Sequence, residues 1–176
     1  MKDTIESKIA KKFKLDDKTW MKHANPWSVY TRTSALPILA ISIWSRLWFG
    51  WWSLIFIIIS IVWIWINPRI FPEVKYTDNW ASRGVFGERV WLNRKKIPIP
   101  KHHRIIPNIL NVVQGIGIIF LIYGLWIFDF WSTLVGLILM IESKLWYVDR
   151  MVCIFEDMKD NPEYEKWERK SDIKKK

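Results

Sequence analysis

Two long apolar stretches, separated by a polar segment of comparable length, set the pattern of this chain. Within 35–66 the only charged residue is Arg46, and within 105–141 it is Asp129. Residues 67–104 between them are polar, as are both flanks. Apolar runs this long exceed what the core of so small a soluble domain can bury, whereas a bilayer accepts them as solvent. The pattern predicts an all-α fold, because a segment crossing lipid must satisfy its backbone N–H and C=O groups internally.

The stretch 27–66 is about twice the ~20 residues that one crossing needs. It predicts two spans, 28–46 and 51–66, folded back at RLWFGWW (46–52), where a charge, a glycine and three tryptophans mark an interface. Pro37 is expected to kink the first span, and Asn67-Pro68-Arg69 to end the second. Pro107 opens a third span, 107–127. The turn IFDFWST (127–133), capped by Ser132 or Thr133, leads into a fourth, 131–150. Apolar residues at 134, 137, 138, 141, 145, 148, 152 and 155 carry that helix to about Asp157. The expected architecture is a four-helix transmembrane bundle made of two hairpins.

The polar segments carry their own signals. Residues 1–22 read as a basic arm in which Ile5, Ile9 and Phe13 line one side of a short amphipathic helix. Asn25 followed by Pro26 is a helix start, with a cap and a proline at the first helical position. Thr77-Asp78-Asn79 caps a predicted interfacial helix, 79–95, mixing Trp80, Val85, Phe86, Val90 and Trp91 with Arg83, Arg89 and Arg94. Gly84 and Gly87 weaken its intrinsic helicity. The run IPIPKHH (97–103) predicts extended chain, because its two prolines oppose helix. Residues 159–176 form a mixed-charge tail expected to be loosely ordered, leaving 23–158 as the membrane domain.

Charge then orients the hairpins. Lys plus Arg number 8 in 1–33, 9 in 67–107 and 9 in 144–176, so the two hairpin turns share only Arg46. By the positive-inside rule both termini and the middle segment are cytoplasmic, in a multi-pass protein of the cell membrane. The net charge of +10 is assigned to anionic lipid headgroups rather than nucleic acid. The 14 tryptophans suit the same interface. The first 25 residues hold seven lysines and no apolar run, so no cleavable leader is expected and the first span is its own insertion signal. A single cysteine, Cys153, excludes an internal disulfide and a paired-cysteine zinc motif.

The segments HANPWSVYTR (23–32), WSRLWFGWW (44–52), NPRIFP (67–72), TDNWASRGVFGERVWLNR (77–94), IPIPKHHR (97–104) and KLWYVDRMV (144–152) together resemble an uncharacterised prokaryotic domain-of-unknown-function family of small multipass membrane proteins. The resemblance covers about 18–158. It implies membrane location and the hairpin architecture. It implies no activity and carries over no functional residue.

Glu142 is the residue with the most chemistry to explain. It lies eleven residues after Trp131, roughly 16 Å along the helix and near mid-bilayer, where an unpaired carboxylate is costly. Positions 142, 146, 149, 153 and 156 share a helical face, so Glu142, Asp149 and Glu156 form an acidic stripe. It reads either as a proton or cation path or as a buried pair with an inward arginine, Arg32 or Arg69. His23, His102 and His103 all fall near span ends. With Asp78 or Glu88 they offer the ligand types of a metal site, yet their spacing assigns no metal, and adjacent histidines in extended chain diverge. Arg83, Arg89, Arg94, Lys95, Lys96, Lys101 and Arg104 make the middle segment cationic, for anionic lipid or for a phosphate ligand. Gly84-Val-Phe-Gly87 lacks the Lys-Ser/Thr of a phosphate loop, and no hydrolase or metalloprotease motif is present.

Size and the lack of catalytic spacing point to a non-catalytic small subunit or scaffold of a membrane assembly, with a membrane-protein partner or a second copy of itself. The competing reading is a small transporter using Glu142, or a membrane enzyme acting on lipid or phosphate ligands at the cytoplasmic face. The sequence does not identify a cofactor.

Overall fold

Asn25 and Pro26 begin the first long helical stretch as their chemistry requires: the Asn25 side chain accepts from the Trp27 N–H, and Pro26 takes the first helical position. The computed structural model describes residues 17–169, which form helices and connecting loops with no strand among the described residues. The expected amphipathic helix at Ile5–Phe13 lies outside them. In chain order the helices are α1 (Asp17–His23), α2 (Pro26–Thr33), α3 (Ala35–Trp44), α4 (Arg46–Phe49), α5 (Ser53–Ile70), α6 (Trp80–Asn93), α7 (Ile105–Ile127), α8 (Phe130–Met158) and α9 (Pro162–Glu165). Short 3₁₀ turns cover Gly50–Trp52 and Lys101–His103. Two stretches, Pro26–Asn67 and Lys101–Ile127, are long and apolar enough to cross a membrane.

The first stretch folds back on itself. Gly50 turns it with φ 53° and ψ −129°, a conformation that a Cβ would oppose. Its break falls at Ser34 instead of at Pro37. Pro37 sits in the first turn of α3, where its missing N–H costs no ladder bond. α3 then packs against α5 through small residues: Ala40, Ser42 and Ser60 are buried, and the Ser42 and Ser60 hydroxyls meet at 2.9 Å. At the other end the Ser28 hydroxyl donates to Asn67 Oδ1 (3.0 Å), and Asn67 Nδ2 donates to Thr31 Oγ1 (2.7 Å). α5 continues through Pro68 to Ile70, past the expected stop, and the Arg69 guanidinium donates to the Trp65 carbonyl in that last turn.

α7 and α8 form the second hairpin. Gly117, Gly124 and Gly136 are buried between them, each facing atoms of the other helix too closely for a Cβ. Asp129, not Ser132 or Thr133, caps α8: its carboxylate accepts from the Ser132 N–H, while Thr133 Oγ1 turns back onto the Asp129 carbonyl. The two hairpins meet at their turns. Trp44 stands edge-on to Phe128 and Phe130, and its indole N–H reaches Thr133 Oγ1 at 3.4 Å. Beyond Trp44 they are separated by a cleft of about 370 Å³ between Ile43, Leu54, Ile122 and Trp126. The all-α fold expected from the sequence is present, and each of the two hairpins packs its small residues against its own partner helix.

The main core lies elsewhere, in a polar-coated layer beside the hairpins. α6 is the centre of this core: Ala81, Val85, Phe86, Val90 and Trp91 are buried against Tyr147, Met151, Ile154 and Phe155 of α8. Trp20 and Met21 of α1 join it, so the end of the basic arm packs on this core. The described part of the tail, up to residue 169, is docked as well. Tyr164 and Trp167 are buried, Trp167 stacks on Phe86, and residues 77 and 169 exchange hydrogen bonds in both directions.

Candidate functional site: a charged junction between three helices

The capping of α6 by Asn79, whose side chain accepts from the Ser82 N–H, starts the helix in register with α8. Gly84 and Gly87 then let the two helices nearly touch, Gly84 over Val148 and Gly87 over the Met151 backbone. The glycines that weaken the helix on its own are what permit this crossing. Glu88, next to Gly87, is carried to Lys144 of α8, with Nζ 2.5 Å from Oε1. Glu88 is largely buried (side chain 18% exposed), while the Lys144 side chain (44%) runs over the Tyr147 ring.

α1 and α2 supply the other half. His23 ends α1, and Arg32 lies in the last turn of α2. The Arg32 Nη1 sits 2.7 Å from His23 Nδ1 and 2.8 Å from Nε2, so the imidazole accepts from the guanidinium. Around this pair, Ser82 donates to the Ala24 carbonyl (2.7 Å), Asn25 donates to the Pro72 carbonyl (3.1 Å), and Lys22 donates to the Arg69 carbonyl (3.5 Å). The motifs HANPWSVYTR, NPR and GER therefore converge on one place, with Lys144 completing it.

Burial, and then the Arg32 charge, push the His23 pKa down to about 3, so the ring is neutral at physiological pH. For Glu88, burial favours the protonated acid, but Lys144 and Arg32 outweigh it and hold the carboxyl below its ordinary range. The result is an internal network in which a neutral imidazole, a carboxylate and two cations satisfy one another. Chemically it is a clasp joining α1–α2, α6 and α8.

The other residues singled out from the sequence are distributed around this clasp. Arg83 pairs with Glu156, and Glu156 also accepts from Lys159. Arg89 pairs with Asp17 of α1, not with a carboxylate of α8, and its guanidinium lies 4.0 Å from the Trp167 ring centre. Asp149 accepts from the Trp80 indole N–H (3.4 Å) and from Arg150 (2.7 Å). Asp78 stands in the loop just ahead of the Asn79 cap. His102 and His103 do not approach His23. Because Lys101–His103 is a 3₁₀ turn and not extended chain, both rings point the same way, to Asp157 of α8 (3.4 and 2.8 Å).

Glu142 is exposed, contrary to the expectation that it faces the interior. It lines a groove of about 770 Å³ between α7 and α8 with Ile109, Val113, Ile138 and Trp146, and Asp149 closes one end. Of the two arginines expected as its partner, Arg32 is bound to His23 and Arg69 donates to the Trp65 carbonyl. The buried stripe of α8 runs through Thr133, Gly136, Ser143, Tyr147, Met151 and Ile154. Lys144 was missed for a related reason. Two residues on from Glu142, it points to the opposite side of the helix.

The profile of a family of unknown function (DUF6653) matches residues 4–172, nearly the whole chain. The chain belongs to this family. The match spans every element of the clasp, from His23 to Lys144, and the docked tail. No curated protein and no solved structure matches it.

Proposed function

We propose that this chain is a four-span membrane protein with both flanks and the α6 layer on the cytoplasmic side, acting as a non-catalytic subunit or scaffold of a membrane assembly. The observation that carries this reading is Glu142: a carboxylate in the apolar zone that faces outward into an apolar groove, with no hydrogen bond or ion pair to another described residue. A carboxylate at that depth is costly unless a donor reaches it. The chain's other conspicuous charges are spent on the clasp and its surroundings. A neighbouring transmembrane helix offering a Lys, Arg or hydroxyl donor, from another protein or a second copy, would satisfy Glu142 and fill the groove. The positive-inside count supports the orientation, and the two stretches long and apolar enough to cross a membrane, Pro26–Asn67 and Lys101–Ile127, support the membrane location.

Photo-crosslinking residues placed in native membranes test this. Positions Ile138 and Trp146, in the groove, are expected to give a protein adduct of discrete mass that Glu142→Leu weakens. Val112 and Ile119, exposed on α7 outside both the groove and the cleft between the hairpins, are expected to give lipid adducts only. Equal protein yields from both pairs, or none from the groove, would overturn the proposal. The same placement supports a second reading, passage of a proton or cation along Glu142 and Asp149. It is selected if Glu142→Gln keeps the adducts yet abolishes ion flux in proteoliposomes.

A further inference from the structure

We infer that His102, His103 and Asp157 form a binding site for one divalent transition-metal ion of the zinc class. The three side chains come from two separate elements, the Lys101–His103 turn and the end of α8, and their ligand atoms all lie within 4.8 Å of one another. Two imidazoles and a carboxylate are the donor set that zinc and its neighbours prefer over calcium or magnesium.

The distances agree with that use. Tetrahedral ligands held at about 2.0–2.1 Å from zinc stand about 3.4 Å apart. His102 Nε2 is 3.4 Å from Asp157 Oδ2, while His103 Nε2 is 2.8 Å from the same oxygen, a direct hydrogen bond that an ion would replace. The rings are side by side, with centroids 4.1 Å apart.

Burial grades the site from fixed to open. The His103 side chain is 10% exposed and held in place, Asp157 is 48% exposed, and His102 is 69% exposed. An ion can therefore enter from solvent, and the exposed His102 can swing the last fraction of an ångström to complete the set. Three protein ligands leave a fourth position for water or an external oxygen donor, the arrangement of an open zinc site. The site stands just before α7, apart from the His23 clasp.

Full-length protein, purified in mild detergent without a polyhistidine tag and stripped with chelator, provides the test. Titration with Zn²⁺ against a chromophoric chelator is expected to find one ion per chain at micromolar affinity or tighter. Co²⁺ is expected to give the visible absorption of a four-coordinate site. Loss of even an outer partner of a metal ligand costs 10–100-fold in affinity. His102→Ala, His103→Ala and Asp157→Asn are therefore each expected to weaken binding at least ~10-fold, with Glu163→Gln as an unaffected control. Should His103→Ala fail to fold, the exposed His102→Ala carries the test alone. Absence of stoichiometric binding by the wild type, or equal binding by His102→Ala, overturns the assignment.

Discussion

A Cβ built on Gly87 would lie 1.8 Å from the Met151 carbonyl oxygen, so α6 and α8 approach each other backbone to backbone at this point. Gly84, one turn earlier, would meet only the end of the Val148 side chain, at 2.4 Å. A side chain can rotate away, while a helix backbone can yield only by moving the whole helix.

Gly87→Ala is therefore expected to destabilise more than Gly84→Ala. Overpacking of this kind costs roughly 1–3 kcal/mol, and each kcal/mol lowers Tm by about 2–4 °C in a domain of this size. Thermal unfolding in detergent, followed by tryptophan fluorescence, compares the two. Gly87→Ala melting with the wild type would show that the helices are not in backbone contact.

The clasp makes stability depend on acid. His23 has a folded pKa of about 3 against an ordinary value of 6.5, so its contribution is complete above pH 6.5 and is lost as pH falls toward 3. Glu88 is also depressed, so its contribution is lost below the usual carboxyl range, in the same direction. A loss of about 2 kcal/mol is expected by pH 5, from His23 alone. Melting temperatures at pH 7.5 and 5 measure it. His23→Gln is expected to flatten that interval, and an unchanged slope would place the titrating group elsewhere.

Topology is open to direct labelling. With Cys153 replaced, single cysteines at Gly50 and Phe130 are expected to react with an impermeant maleimide added outside intact cells, and one at Lys95 only after permeabilisation. Outside labelling of Lys95 would reverse or break the proposed orientation.

The parts of this structure legible in the sequence are those whose cause is local. Asn25-Pro26 and Asn79 start helices through atoms two or three residues away, so the signal and the effect share a short window. The turn at 50 and the helical stretches 105–127 and 130–158 follow from glycine, charge and apolar length in the same way. On α8 the cost of an unpaired carboxylate in lipid argues for an inward Glu142, whereas the inward positions belong to small residues. Where lipid is the solvent the small and weakly polar positions pair, here Gly136, Ser143 and the glycines of α7, and Glu142 with its apolar neighbours is left outside. The clasp was illegible for a different reason. Glu88 and Lys144 are 56 residues apart, and His23 was weighed as a metal ligand because nothing in its own segment shows that Arg32 folds back onto it. His102 and His103 were separated by assuming extended chain between prolines, where the backbone makes a 3₁₀ turn.

Trp167 and Tyr164, packed on the core around Phe86, also set an order of events during synthesis. The apolar hairpins are complete once α8 has left the ribosome, but α6 keeps an open apolar flank until residues 164–169 follow. Translation that stalls between α8 and Tyr164 would leave a chain with an uncovered aromatic surface, the kind of exposed apolar patch that promotes aggregation.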